Sequence, residues 1–261
     1  MQRYFCCADV TLSGLHVYNH CNLNNDGMDI DGCVRVRISG CHIDASDDAL
    51  VLKSESDEVC EDIVVKNCVM SSHASAIKFG TGSVGGFRRI EMAGCTVRPS
   101  RAPEVHHPFK VRGGLAGIDI GCVDGGEVED VFIHDLAIEG SQTPIFIRLG
   151  DRGAPAWRSE KAPAGGRMRG IRLHHVRAAG AGPIASSITG YPGHPVQEVE
   201  LRDVSIECSR PAFAGNVEGL PVARWFSPLI HGSADPQDRA KIMSLDVPEQ
   251  VGEYPVNRMF G

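Results

Sequence analysis

The sequence lacks several features that would place it in common functional classes. Acidic residues outnumber basic ones, 33 against 26, and the net charge of −7 does not favour a nucleic-acid partner. No apolar run is long enough to span a bilayer, so no membrane partner is expected, and residues 1–10 lack the apolar region of a signal peptide. The sequence contains no phosphate-binding loop and no Gly-x-Ser-x-Gly elbow.

An eight-residue apolar pattern is present instead, and it recurs seven times along the chain. Its template is apolar-x-apolar-x-x-apolar-x-apolar. The first two apolar positions lie two apart, which is the alternation of a β-strand. Small or polar residues at the two middle positions predict a bend, after which a second short strand follows. The copies occupy residues 10–17, 36–43, 63–70, 90–97, 131–138, 171–178 and 199–206.

The spacing of these copies predicts the fold. Their starts are 26, 27, 27, 41, 40 and 28 residues apart, a range typical of repeat architectures. Each copy can bury its apolar side only against the copies above and below it. Parallel strands joined by crossovers almost always follow a right-handed path. We therefore expect an all-β protein, a right-handed parallel β-helix of about seven recognisable coils that lie roughly 4.8 Å apart.

The repeat also predicts the organisation of the chain. Residues 1–208 form the β-helix, and its two long intervals imply loops extruded near 99–114 and 151–166, which are rich in Pro, Gly and charge. Residues 209–261 carry no clear copy of the template and are expected to pack on the helix as an irregular tail. Because the first copy begins abruptly at Val10, both ends of the solenoid are expected to be open, as in part of a longer protein.

A third strand is predicted in each coil, after the turn that follows the template. It is identified at residues 26–30, 48–52, 75–79, 116–120 and 143–147. Alternate residues of these strands point into the core. The residues between them are expected to point outward and to stack in one column: Asp29, Val51, Lys78, Asp119 and Phe146.

The chain has ten cysteines, and the repeat accounts for six of them. Three precede a copy of the template by three residues, and three occupy its sixth position: Cys7, Cys33 and Cys60, then Cys41, Cys68 and Cys95. Other copies carry apolar residues at both positions, and a buried free cysteine behaves as a small apolar side chain. We interpret the six as core residues, with disulfides or a metal site as the alternatives.

Three aspartates are the candidates for chemistry. Asp26 and Asp48 occupy the same offset before successive third strands, which places them about 5 Å apart, and Asp47 is adjacent. Crowded carboxylates cannot all ionise easily, so at least one pKa should rise. The result is a protonated acid beside an ionised base, the pair that glycoside hydrolysis requires. Two alternatives remain, since aspartates are common in turns and three carboxylates can bind Ca²⁺.

The residues around these aspartates resemble a known family. Residues 24–29 (NNDGMD) and 47–54 (DDALVLKS) look like the N-T-D-G and D-D motifs of the polygalacturonase-type glycoside hydrolases, family 28, and the spacing between the motifs matches. The resemblance covers most of the chain. It implies a right-handed β-helix and inverting hydrolysis of pectic polysaccharides. It implies that Asp47 is the general acid, that Asp26 and Asp48 activate water, and that the protein is secreted or periplasmic. No cofactor is expected.

The sequence departs from that family at two motifs. Ser75 stands at the histidine of a G-H-G motif, with His73 two residues earlier, and residues 119–121 (DIG) replace an R-I-K motif that grips a uronate carboxylate. Asp119 would repel such a carboxylate, which favours a neutral or differently linked pectic sugar. Lys78 either takes over the contact or forms a surface pair with Asp119 that contributes little to stability. The candidate substrate-binding residues are Asn24, His73, Ser75, Lys78, Asp119 and Arg148.

Three functions compete at this stage. The first is a glycoside hydrolase that cleaves a pectin-like polysaccharide or oligosaccharide through the three aspartates. The second is a Ca²⁺-dependent polysaccharide lyase or epimerase, which is disfavoured because no basic residue is expected in the aspartate column to abstract a proton. The third is a non-catalytic, carbohydrate-binding β-helix.

Overall fold

The structure of the chain is a computed structural model that describes residues 1–21, 24–102, 113–151, 165–182, 184–190 and 193–209. Within these ranges the secondary structure consists of nineteen β-strands. They are β1 (Gln2–Phe5), β2 (Ala8–Ser13), β3 (His16–Asn19), β4 (Met28–Asp31), β5 (Val34–Ser39), β6 (His42–Ala45), β7 (Leu50–Ser54), β8 (Cys60–Lys66), β9 (Val69–Ser72), β10 (Ser75–Ser83), β11 (Phe87–Ala93), β12 (Thr96–Val97), β13 (Ala116–Cys122), β14 (Glu127–Glu139), β15 (Thr143–Leu149), β16 (Arg167–Ala181), β17 (Ser187–Thr189), β18 (Val196–Arg202) and β19 (Ser205–Cys208).

The strands form two sheets in which every described pairing is parallel. The seven-stranded sheet has the order β1-β4-β7-β10-β13-β15-β17, so that successive coils add one strand each. The twelve-stranded sheet contains both halves of each template copy, which are separate strands in the first coils and one continuous strand in β14 and β16. The fold is a right-handed parallel β-helix, as the sequence predicts.

The repeat predicts the strand register correctly. The first residues of the seven copies are paired in one column: Val10, Val36, Ile63, Ile90, Val131, Ile171 and Val199. The bend falls at the fifth template position, where the backbone adopts left-handed φ angles between 51° and 65°. Glycine, asparagine and aspartate tolerate this region best, and they occupy six of the seven bends: Gly14, Gly40, Asn67, Gly94, Asp135 and Asp203, with His175 the seventh.

The sequence analysis missed the first and last strands of the seven-stranded sheet. β1 pairs with β4 in register, Gln2 opposite Met28, so a strand that the template does not predict precedes the first copy at Val10. The reason is that β1 is a four-residue strand (QRYF) without the apolar template, and its side chains alternate between half-buried and exposed. The sequence analysis missed β17 for the same reason, because this strand has only three residues.

Other predictions concern segments that lie partly or wholly outside the described residues. Most of the two predicted loops falls at residues 103–112 and 152–164, and the predicted tail falls almost entirely at 210–261. The domain boundary near residue 208 therefore stays a prediction. Among the described residues, the structure contains no helix with the length and apolarity needed to cross a bilayer.

The cysteine columns are core positions, as predicted. All ten thiols are free. Cys33, Cys41, Cys60, Cys68 and Cys95 are buried, and Cys7 is half-buried. Phe87 is paired with Cys60 and then with Val128, so apolar side chains continue the first column as the repeat implies.

Burial of the thiols predicts their reactivity. Burial raises the pKa of Cys122 to about 12, and the same effect raises the pKa of Cys60. A thiol reagent should therefore label Cys6, Cys21 and Cys208 quickly, since these three thiols are exposed and the reagent can reach them. The six buried thiols should react only in denaturant. Mass-spectrometric mapping of labelled sites, with and without guanidinium, checks this, and rapid labelling of Cys60 in the native protein would contradict it.

Candidate active site

The turns that precede β4 and β7 hold the three aspartates. Gly27 follows Asp26, and a Cβ atom at Gly27 would lie 2.3 Å from Ile43 Cγ2 and 2.6 Å from the Ala49 carbonyl oxygen. This contact leaves no room for a side chain. The Gly27 amide donates a hydrogen bond of 2.8 Å to the Asp48 carbonyl oxygen. The close approach of the two turns places Asp26 directly beside Asp48 on the next coil.

The carboxylates of Asp26, Asp47 and Asp48 converge in this turn. One oxygen from each lies within 4.8 Å of the others, and the three residues are only 6–7% exposed. Burial raises the pKa of Asp48 well above its usual value, the charge of Asp47 raises it further, and the Lys78 ammonium opposes both effects. This is the rise expected from crowding, with burial as its larger cause.

Hydrogen bonds from neighbouring coils hold the cluster in place. The Ser75 amide donates to Asp48 Oδ1 at 2.7 Å, so the residue at the family's histidine position orients one of the three carboxylates. The Asp47 amide donates to the Asn25 carbonyl oxygen at 3.2 Å, and the Ser72 hydroxyl donates to the Asp47 carbonyl oxygen. Asp48 is therefore tied to the β10 coil and Asp47 to the coils on both sides.

Lys53 is a member of the site that the sequence analysis missed. Its Nζ lies 2.6 Å from Asp26 Oδ2 and 2.8 Å from Asp29 Oδ2. Lys53 is paired with Asp31 and so lies outside the aspartate column, in which the sequence analysis expects no proton-abstracting base, but its side chain reaches Asp26. Strand alternation could have found it, because Leu50 and Leu52 point inward and Lys53 must then point outward. Burial lowers the pKa of Lys53, but the charges of Asp26 and Asp29 outweigh it and the net pKa is raised. A lysine held in its charged form cannot abstract a proton.

Asp29 is a fourth carboxyl group beside the cluster. Burial is the largest cause that raises its pKa, to about 6, and the charge of Asp26 adds to it, while Lys53 acts in the opposite direction. The register places Asp29 opposite Val51, in the predicted outward column. Asp29 and Asp26 therefore share one ammonium group.

The candidate substrate-binding residues divide into one exposed residue and five buried ones. Asn24 is exposed, with a left-handed φ of 58°, in the turn that leads to Asp26. The buried five are His73, Ser75, Lys78, Asp119 and Arg148. The outward column has the predicted register from Asp29 to Phe146, yet its members are also buried. Direct substrate contact by the buried residues stays a prediction.

Lys78 and Asp119 form a buried ion pair. Lys78 Nζ lies 2.6 Å from Asp119 Oδ2, and the side chains are 1% and 0% exposed. The Ser75 hydroxyl donates to the same oxygen at 2.9 Å. The interpretation as a weak surface pair is wrong, because strand alternation gives the side on which a residue lies and not whether that side is covered. Once desolvated, each partner depends on the other.

His73 lies in the turn before β10 and is fully buried. Its ring centroid is 5.2 Å from that of His20, and His20 Nε2 lies 2.9 Å from Asp44 Oδ1. The Ser100 hydroxyl donates to the same Asp44 oxygen at 2.6 Å. His73 is thus part of a packed polar group that flanks the turn of Asp47.

The three converging carboxylates have a spacing that a divalent cation could use. The Lys53 ammonium group, however, already contacts Asp26 and supplies positive charge there. A cation would have to compete with this group. The arrangement suits proton transfer, since it combines a carboxyl group whose pKa is raised with one that carries a counterion.

Comparison of the sequence with known proteins finds a family and a curated relative. The sequence model of the family described as "Glycosyl hydrolases family 28" matches residues 3–218. A curated protein from Vitis vinifera, described as "Probable polygalacturonase", is 22% identical over 197 residues, which are 72% of this chain and 37% of that protein. The chain thus spans well under half the length of this curated relative.

A solved structure has the same fold. The exopolygalacturonase from Thermotoga maritima, described as hyperthermoactive, superposes with a TM-score of 0.64 at 19% identity. The match covers 80% of this chain and 45% of that one. At this level of identity, the likeness establishes the β-helix.

The raised pKa of Asp29 predicts a pH-dependent stability. Because the folded protein holds a proton on Asp29 up to about pH 6, whereas the unfolded chain releases it near pH 3.8, this group makes stability fall as the pH rises between these values. Asp29→Asn should reduce that fall, by about 3 kcal/mol at most. Urea unfolding at pH 4 and pH 7 measures it. The exposed Asp62→Asn serves as control, and an equal fall in parent and Asp29→Asn would refute the assignment.

The buried ion pair makes a second prediction. Asp119→Ala removes the carboxylate that Lys78 contacts, and breaking a buried pair typically costs about 3–5 kcal/mol. The double variant Lys78→Met/Asp119→Leu should recover much of this loss, since it leaves neither charge buried. Free energies of unfolding measure both. An exposed ion pair contributes about 1 kcal/mol at most to the free energy of unfolding. A loss below this value in Asp119→Ala would show that the pair is solvated.

Proposed function

Because the chain belongs to glycosyl hydrolases family 28, we propose that it hydrolyses glycosidic bonds of a pectin-like polysaccharide through Asp26, Asp47 and Asp48. The observation that carries the proposal is the convergence of these three carboxylates within 4.8 Å, on consecutive coils. The reaction requires no cofactor. The family resemblance supports a secreted or periplasmic location.

The three carboxylates have two roles in the proposed reaction. Asp47 donates a proton to the glycosidic oxygen as the bond from that oxygen to the anomeric carbon breaks. A water molecule, deprotonated by Asp26 and Asp48, forms the new bond to the anomeric carbon. Burial and the Asp47 charge raise the pKa of Asp48, which favours the presence of a proton in the cluster. That proton is the one the leaving oxygen needs.

The stereochemical outcome is a sharper part of the proposal. The family resemblance implies inversion at the anomeric carbon. Inverting enzymes usually separate their two carboxyl groups by about 6.5–9.5 Å, and retaining enzymes by about 5–5.5 Å. The closest oxygens here lie within 4.8 Å, but the cluster has three members rather than two. We propose inversion, with Asp26 and Asp48 together holding the water that a single distant base holds in a two-carboxylate enzyme.

The substrate is proposed to be a pectic polysaccharide or oligosaccharide whose bound unit is neutral or differently linked. Lys78 contacts Asp119, so the pair carries no net charge to attract a uronate carboxylate. We propose that the exposed Asn24 contacts the sugar directly. His73, Ser75 and Arg148, with the ion pair, are proposed to shape the site from beneath.

Replacement of the proposed general acid tests the function. Asp47→Asn should lower kcat on pectic substrates by roughly 10²–10⁴-fold, the usual contribution of general acid catalysis. Reducing-sugar release from a panel of neutral and acidic pectic oligosaccharides measures it. Asp62→Asn, an exposed aspartate paired with Arg89 on the other sheet, is the matched control. Full activity in Asp47→Asn, unsaturated products, or inactivation by a chelator would contradict the proposal.

The anomer of the first product tests the stereochemistry. Inversion predicts that the new reducing end appears first as the anomer opposite to that of the cleaved bond. ¹H NMR during the first minutes of hydrolysis distinguishes the anomers before mutarotation mixes them. Retention would instead indicate a covalent intermediate on one of the aspartates.

A further inference from the structure

Two buried polar side chains lie in one core-facing column next to the turns of the aspartates. The column consists of the last residues of β3, β6 and β9, which are paired in the order Asn19, Ala45 and Ser72. In each strand the residue two positions earlier is apolar and packs in the core, so the three side chains point inward. Asn19 is 7% exposed and Ser72 is 2% exposed. Polar atoms at such positions require hydrogen-bond partners, and both residues find theirs on the aspartates.

Asn19 donates from its side chain to the backbone of the first aspartate. Asn19 Nδ2 lies 2.8 Å from the Asp26 carbonyl oxygen, in a buried contact that spans seven residues of the chain. The carbonyl oxygen of Asn19 accepts a hydrogen bond of 2.9 Å from the Ser46 amide on the next coil. Asn19 therefore connects the turn of Asp26 both to the end of β3 and to the neighbouring coil.

Ser72 makes the corresponding contact with the second aspartate. Its hydroxyl donates to the Asp47 carbonyl oxygen and accepts a hydrogen bond of 2.7 Å from the Ala74 amide. Ser72 lies one coil beyond Asp47, whereas Asn19 belongs to the strand that leads into the turn of Asp26. One column thus supplies a side-chain donor to the backbone of each of these two aspartates.

A fixed carbonyl group limits where the carboxylate of the same residue can lie, because both groups are attached to one Cα atom. Asp26 and Asp47 each place a carboxylate oxygen within 4.8 Å of the other and of Asp48. A displacement of reacting groups by about 1 Å can lower a rate by about 10²-fold. The two hydrogen bonds therefore act on a distance to which the reaction is sensitive.

We propose that Asn19 and Ser72 are positioning residues that keep the carboxylates of Asp26 and Asp47 at the separation that hydrolysis requires. This inference rests on the proposed hydrolytic function and deepens it, because it names the side chains that align the acid with the base. Each residue acts through the backbone of an aspartate rather than through contact with the sugar.

A merely structural role makes a different prediction. The loss of either side chain would then lower the free energy of unfolding without changing kcat per folded molecule. Ala45 offers the matched control, because Ala45→Gly disturbs the same column and removes no side-chain hydrogen bond to an aspartate. Since alanine already occupies the middle of the column, Asn19→Ala and Ser72→Ala are expected to fold.

Steady-state kinetics on the pectic oligosaccharides measure the effect on catalysis. Asn19→Ala and Ser72→Ala should each lower kcat by about 10–10²-fold and leave KM near the parent value, since misaligned carboxylates weaken the transition state more than substrate binding. Ser72→Thr, which keeps the hydroxyl, should retain most of the parent kcat. Ala45→Gly should have the parent kcat when activity is referred to the folded fraction.

Amide hydrogen exchange measured by NMR gives a second readout that needs no activity. The Gly27 amide donates to the Asp48 carbonyl oxygen, so its exchange rate reports how firmly the two turns are held together. Asn19→Ala should speed the exchange of this amide by roughly threefold to tenfold, the effect of losing one buried hydrogen bond in the same turn. Ala45→Gly should change this rate less.

The outcomes separate this inference from the proposed function. A parent kcat in both alanine variants overturns the positioning role, and so does a loss of kcat in Ala45→Gly as large as theirs. If Asn19→Ala fails to fold, Asn19→Leu, which keeps most of the volume and donates no hydrogen bond, is judged by the same criteria. A parent protein that cleaves no substrate of the panel overturns the proposed function instead. In that case an unchanged exchange rate of Gly27 in Asn19→Ala still overturns the role of Asn19.

Discussion

In-register stacking of parallel coils is the constraint on which the rest of this structure depends. Each coil buries its apolar side only against its neighbours, so every position lies above its equivalent one coil earlier. The column that begins at Val10 shows this for the core, where seven copies remain in register across loops of different length. The same constraint brings Asp26 beside Asp48, and the close contact at Gly27 tightens their approach.

Stacking in register has an electrostatic consequence, because like charges at one offset are forced together. The chain offsets the crowding of its aspartates with lysines from adjacent strands: Lys53 contacts Asp26 and Asp29, and Lys78 contacts Asp119 while acting on Asp48. Burial of the carboxyl groups of Asp48 and Asp29 nevertheless raises the pKa of both. A cluster with one compensated carboxylate and one carboxyl group that tends to hold its proton is suited to acid–base chemistry.

Sequence reasoning was accurate wherever periodicity carries the information, and it failed where periodicity does not. It predicted the seven template copies, five strands of the other sheet, the cysteine columns and the shared offset of Asp26 and Asp48. It missed β1, because QRYF has no apolar template to recognise. It also missed Lys53, which lies three positions beyond Leu50, in the strand rather than in the turns that hold the aspartates. Strand alternation implies that this side chain points outward.

The sequence by itself therefore determined the β-helix, its register and the meeting of three aspartates, because a period-two pattern that recurs seven times, with loops in the two longer intervals, permits one stacking. Only the tertiary structure decided which outward residues are buried and which charges meet. Lys78 and Asp119 illustrate the difference: alternation puts both on the outer face, yet they form a fully buried ion pair. The physical reason is that burial and side-chain contact depend on what packs across a surface, and no local pattern encodes that.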